Sequence, residues 1–237
     1  MKTIARAIFA LVLASGAAAR AQVPSPNPHY LTMGPVARYL MPDPAAEIAL
    51  ARTAAPSSVS ALATVLALTK TGYVVGAKGS NGWVCLVGRS FQGGFDDPEF
   101  WNWRNRSPVC LNPPAVRSVL PQYLIRAKWA FVDGDTRPQM AKMAQAAYAS
   151  HRFGDPAPGA FSFMLSKEAY LNDEVKGPWL PHVMLFIAKD QMNLWAAGFE
   201  GSPIFAPWPP NSMRAYEPTT IDIPVRRWSD GSLAPDR

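Results

Sequence analysis

The chain has only two cysteines, Cys85 and Cys110 among 237 residues, and no other pair of positions limits its fold as much. Whether they join depends on where the chain matures, and its first residues bear on that. Lys2 and Arg6 precede an apolar run, residues 7–14, that is too short to span a bilayer. Ala19-Arg20-Ala21 then supplies a small-x-small cleavage pattern. Charge, apolar core and cleavage site in that order predict a removable export signal over residues 1–21, and hence a periplasmic or secreted protein. In an oxidising compartment an even cysteine count favours a bridge. It would close a loop of about 26 residues, which corresponds to about 3.5 kcal/mol in the chain-entropy picture. The competing uses are a reactive thiol and a metal pair, and export disfavours both. No later run reaches the roughly 18 apolar residues of a membrane span, so none is expected.

The formal net charge of +6 invites a nucleic-acid reading. Lys2, Arg6 and Arg20 belong to the signal, which leaves +3 on residues 22–237, and the longest basic run is the pair Arg226-Arg227. The charge pattern therefore argues against a nucleic-acid partner.

Along the chain, five prolines within residues 22–42 predict an extended arm. Asp43-Pro44 has the form of an N-cap followed by proline at the first helical position, and predicts a short helix ending near Ala54. Residues 63–69 predict a strand. Residues 73–78 and 83–87 predict a hairpin through Gly79-Ser80-Asn81-Gly82, because Asn-Gly tolerates positive φ. Residues 90–113 read as a long irregular stretch held by Phe95, Phe100, Trp101 and Trp103 and tied at Cys110. A helix starts at Asn112-Pro113, breaks or kinks at Pro121 and resumes over 123–132, and Thr136 caps another. Residues 161–166, 182–188 and 219–225 predict strands, with a short helix around 191–197 and a strand near Ile204. Both faces of 182–188 are apolar, which predicts a central strand covered on both sides. Strands, then helices, then strands argue for one α+β domain over 43–230, a mostly antiparallel sheet with several helices packed on it, and a tail at 231–237.

Chemistry-bearing residues are sparse. Asp96-Asp97-Pro98-Glu99 places three carboxylates in four residues, a pattern that suits a hard cation or acid–base work. Asp97 as N-cap, Pro98 at the first position and Glu99 at the positive end of a helix account for it better. The three histidines, His29, His151 and His182, lie far apart, so no metal site is expected. His182 opens a buried strand after Pro181 and near Trp179, either as a hydrogen-bonded structural group or as an acid, base or ligand contact. Ser166 and Lys167 are adjacent, so in a strand they face opposite ways. Ser-x-x-Lys, Gly-x-Ser-x-Gly, Gly-x-Gly-x-x-Gly and phosphate-loop patterns are absent, and no cofactor is expected. Trp103, Trp208 and Trp228 lie in proline-rich loops, where they either anchor the loop or line a groove. The candidate ligand contacts are His182, Trp179, Tyr170 and Trp103.

Several segments together carry a resemblance: Phe95-Asp96-Asp97-Pro98-Glu99-Phe100-Trp101-Asn102, CLNPPA at 110–115, Ser166-Lys167 with Tyr170-Leu171, Pro181-His182 with the strand after it, and Trp228-Ser229-Asp230-Gly231. The chain from about residue 47 onward resembles an uncharacterised family of secreted bacterial proteins. The resemblance implies export and carries no activity, substrate or cofactor. In that family the segment before the strand reads like Gly-His-Trp-His-Pro-His. Here it is Gly177-Pro178-Trp179-Leu180-Pro181-His182, and a metal role loses two of its three imidazoles.

Two functional readings follow. The first is an exported non-enzymatic module that binds a small apolar ligand, a peptide or an envelope protein in an aromatic-lined groove without convergent ionisable groups. The alternative is a hydrolase-like or metal-assisted envelope enzyme centred on His182, with Tyr170, Asp173 or the Asp96 cluster. It requires His182 in a pocket, within hydrogen-bond reach of a carboxylate.

Overall fold

Gly72, at φ +100°, lets the chain reverse after one strand and sets the edge of the sheet. In a computed structural model, which describes residues 28–188, 191, 194–196, 199, 201, 202, 204 and 219–235, seven strands form one sheet. They are β1 (Thr64–Thr69), β2 (Gly72–Ala77), β3 (Val84–Gly88), β4 (Ser107–Leu111), β5 (Phe161–Met164), β6 (His182–Ile187) and β7 (Thr219–Pro224), in the spatial order β2-β1-β3-β4-β5-β6-β7. Every pairing is antiparallel except β1 with β3. With helices packed on it, the chain is a single α+β domain, as its pattern predicts. The expected helix around 191–197 and the strand near Ile204 lie largely outside the described residues. No described helix is long and apolar enough to cross a membrane.

The hairpin through Asn81-Gly82 is corrected. β2 pairs back onto β1 through the turn before Gly72, and β3 lies parallel to β1 on its other side. Asn81 serves the crossing loop instead: its Nδ2–H donates to Val59 O at 2.8 Å, and its Oδ1 accepts from the Trp83 N–H at 3.0 Å. Gly79 is required there, because a Cβ would sit 2.2 Å from the Ala63 carbonyl carbon.

The stretch 90–113 is also more ordered than expected, since its last residues form β4 in the middle of the sheet. Pro108 and the polar Ser107 hide that strand from a periodicity reading. Nor does a helix follow Asp97. Its Oδ1 accepts the Glu99 N–H at 2.7 Å and caps a single turn.

Elsewhere the local signals are met. Asp43 Oδ1 caps α1 (Pro44–Arg52) through the Ala45 N–H at 2.8 Å. After the four-residue turn α2 (Ser57–Ser60), Asn112 caps α3 (Pro113–Ser118) through the Ala115 N–H at 3.1 Å. Pro121 sits in the first turn of α4 (Leu120–Lys128), so the helix breaks at Val119 rather than at Pro121. Thr136 and Gln139 form a capping box on α5 (Arg137–Ala149).

Alternation along the strands builds a core on each face. Leu66, Leu86, Val109 and Leu111 pack under α3 and α4 with Ala115, Val119 and Leu120. Val65, Cys85, Val87 and Cys110 pack under α1 with Leu50 and Ala51. Cys85 and Cys110 stand directly opposite across β3 and β4, with Cα atoms 4.0 Å apart, and are joined as a buried disulfide. A third cluster gathers Tyr39, Phe91, Phe100, Trp101, Trp129 and Met140, and fixes the 90–105 loop against α4 and α5. At about 1.5–3 kcal/mol per large buried apolar side chain, this cluster explains how so long a loop keeps one shape.

Candidate functional site

Helices α3 and α4 roof only the β1–β4 part of one sheet face, together with Phe186. Beyond β4 the same face lies under loops, and a cavity of about 350 Å³ opens there. Directly opposed antiparallel residues share a face. Met164 opposes His182, Met184 opposes Asp222 and Phe186 opposes Thr220, and these six form the cavity floor. Val119, at the break between α3 and α4, and Gln122, Tyr123 and Arg126 of α4 form one wall. The turn from Arg89 to Gly93 and the loop with Asp97, Glu99 and Asn105 form the second. Leu171, Asn172 and Trp179 form the third.

His182 is 6 % exposed, and its Nδ1 lies 2.8 Å from Leu180 O. A carbonyl only accepts, so Nδ1 carries the proton. Burial depresses the pKa below the ordinary 6.5 by more than the Leu180 hydrogen bond raises it. At neutral pH the ring is therefore uncharged, and Nε2 is a lone-pair acceptor. The Trp179 ring stands edge-on to it, with centroids 4.8 Å apart. Among the described residues no carboxylate reaches His182, and no group of three His, Cys, Asp or Glu is placed to hold a metal ion.

Gln122 is the complementary group. It is 8 % exposed on α4, and its Oε1 accepts from the Tyr148 hydroxyl. Its buried Nε2 has no hydrogen-bond partner among the described residues.

The two guanidinium groups are built into the walls. Arg89 donates from Nε to Tyr39 O, from Nη1 to Val87 O and from Nη2 to both Glu47 oxygens. Arg126 donates to Gly93 O at 2.7 Å and lies over the Phe95 ring.

A network of carboxylates ties the two loop walls together. Glu99 accepts from Asn102 Nδ2 at 2.7 Å and from the Asp173 N–H at 3.0 Å. Asp173 accepts the hydroxyls of Tyr30 and Tyr170 at 2.6 and 2.7 Å. Partial burial pushes the Asp173 carboxyl up, but the hydrogen bonds from Tyr30, Tyr170 and Asn102 and the Arg104 charge outweigh it and hold it below the ordinary 3.8. Tyr30 thereby latches the N-terminal arm onto the loop that carries Trp179. Tyr30→Phe is expected to lower the unfolding free energy by about 1 kcal/mol, seen as a lower urea midpoint. An unchanged midpoint would show that the latch contributes nothing.

Of the four candidate contacts, the fold brings His182 and Trp179 together at the cavity. Tyr170 stands behind the wall, its hydroxyl on Asp173 and its ring under Arg104. Trp103 anchors the arm, edge-on to Tyr30 at 5.1 Å and under Arg38 at 4.5 Å. Trp228 is buried, and Trp208 lies outside the described residues. Gln122, Asp222, Arg89 and Arg126 are cavity residues that sequence reasoning does not single out. A signal existed for Asp222: Thr220 and Asp222 alternate with Ile221 and Ile223, the pattern of a strand with one polar face.

Comparison of the chain with protein-family models, curated proteins and solved structures gives no significant match.

Proposed function

We propose that the protein is an exported module that binds a small organic molecule in this cavity. The observation that carries the reading is the cavity itself, about 350 Å³ over β5–β7, with Gln122 in its lining, whose buried Nε2–H has no hydrogen-bond partner among the described residues. A buried donor left in that state costs about 1–3 kcal/mol. Size agrees, because small-molecule pockets run from about 300 to 1,000 Å³. Tyr123, Trp179 and Phe186 supply an aromatic lining, of which the sequence singles out Trp179 alone; Trp103 and Trp228 are built into the fold instead. The ionisable groups around them make the cavity more polar than a purely apolar ligand needs. Export is supported by the charge, apolar core and cleavage pattern of residues 1–21, by the disulfide and by the family resemblance. The enzyme reading needs a carboxylate at His182, and the imidazole is oriented by a backbone carbonyl instead.

Native mass spectrometry of the mature protein, purified from its own envelope fraction, tests the reading. A retained small molecule is expected, and about tenfold less occupancy in Gln122→Leu. Protein that is ligand-free from every preparation would remove the proposal.

A further inference from the structure

The floor of the cavity gathers a donor set without cysteine or carboxylate. Met164 on β5 stands directly opposite His182 on β6, and Met184 follows His182 by two residues on the same face. Directly opposed Cβ atoms lie about 4.5–5.5 Å apart, residues two apart along a strand roughly 6–7 Å, and diagonal pairs such as Met164 and Met184 about 7–8 Å. Two thioethers and an imidazole therefore form a triangle in the lining of one cavity. The long unbranched methionine side chains let each sulfur swing toward the ring. The ring itself is already set. Its Nδ1–H is spent on Leu180 O, which leaves the Nε2 lone pair without a hydrogen bond among the described residues. Unlike Gln122 Nε2, it is not sealed from accessible space. A backbone carbonyl on the far nitrogen is the usual support of a metal-binding imidazole. The Trp179 ring stands beside it, with centroids 4.8 Å apart, and supplies a π system that attracts cations.

We infer that His182 Nε2 and the sulfurs of Met164 and Met184 bind a single Cu(I) ion. All three donors are neutral and two are soft. Thioethers with imidazole select Cu(I), whereas zinc sites are built from thiolate, imidazole and carboxylate, and hard cations take oxygen. Both cysteines, the other soft ligands of the chain, are consumed in the Cys85–Cys110 bridge. The site needs only the sheet floor, so it goes beyond the organic-ligand reading and does not rest on it.

Cu(I) is titrated without oxygen into the mature protein labelled with carbon-13 at its methionine methyls, with bicinchoninate as competitor. One ion per chain is expected, with methyl shifts concentrated at Met164 and Met184 and none on adding Zn(II). Met164→Leu and Met184→Leu conserve volume, and each is expected to bind Cu(I) at least about tenfold more weakly while melting within a few degrees of wild type. The wild-type comparison of Cu(I) with Zn(II) stands whether or not a variant folds. Loss of all copper to the competitor overturns the inference. Undiminished binding in the double variant, or Zn(II) binding as tight as Cu(I), also overturns it. Copper held by protein that carries no organic molecule in native mass spectrometry removes the organic-ligand reading and keeps this one. A retained organic molecule without copper binding does the reverse.

Discussion

Glu47→Ala is expected to destabilise the protein by about 3–5 kcal/mol. Glu47 lies on α1 and is 2 % exposed, and the Arg89 side chain it meets is completely buried. The carboxylate receives Arg89 Nη2 at 2.9 and 2.7 Å, while Nε and Nη1 go to Tyr39 O and Val87 O. Apart from Glu47, the guanidinium's partners are the neutral carbonyls of Tyr39, Val87 and Gly88. Removing the carboxylate strands a positive charge where water does not reach, and that cost exceeds the net benefit the intact pair provides. A second variant separates the two quantities. Glu47→Leu with Arg89→Met replaces the pair by apolar groups and is expected to recover most of the loss. Urea unfolding followed by tryptophan fluorescence measures both. A loss under 1 kcal/mol in Glu47→Ala would show that Arg89 relaxes to solvent. Because Arg89 also lines the cavity, the single variant is expected to weaken ligand retention as well.

Opening the Cys85–Cys110 bridge comes next in size. The two residues are 25 apart in sequence, and releasing that loop in the unfolded chain corresponds to about 3.5 kcal/mol. For a domain of this size, about 2–4 °C of melting temperature accompanies each kcal/mol, so a fall of roughly 7–14 °C is expected. Both sulfurs are fully buried beside Ala51 of α1, so Cys85→Ala with Cys110→Ala adds a packing loss to the lost crosslink. Reducing the wild-type protein removes the crosslink alone. The reduced form is therefore expected to melt above the double variant and below the oxidised form. Equal melting of oxidised and reduced protein would mean that β3 and β4 need no covalent tie.

Much of the fold is legible in short stretches of residues. Asp43-Pro44, Asn112-Pro113 and Thr136 with Gln139 announce helix starts because a cap acts over three or four residues. The even cysteine count, with an export signal expected, announces the pairing of the only two cysteines without saying which strands they tie. The apolar run 182–188 announces β6, but its His182–Met184–Phe186 face is only partly packed and also floors a cavity. The Asn-Gly hairpin misleads for the same reason that caps succeed. The dipeptide specifies a turn, and the strand that the turn delivers pairs wherever burial is greatest, here parallel to β1.

The site was half legible. His182 and Trp179 stand out because an imidazole at the start of a buried strand, next to an aromatic ring, is rare. Tyr170 and Trp103 have the same residue chemistry but face the arm latch.

The sequence by itself determined the helix caps, the strand and helix periods, the single possible disulfide and the α+β class, since each is written within one segment or in one residue count. Only the tertiary structure decided the order of the strands, the Glu47–Arg89 pair and the cavity. These join residues as distant as Arg89, Gln122, His182 and Asp222, and what selects their partners is burial and charge compensation in the packed chain, which no local pattern encodes.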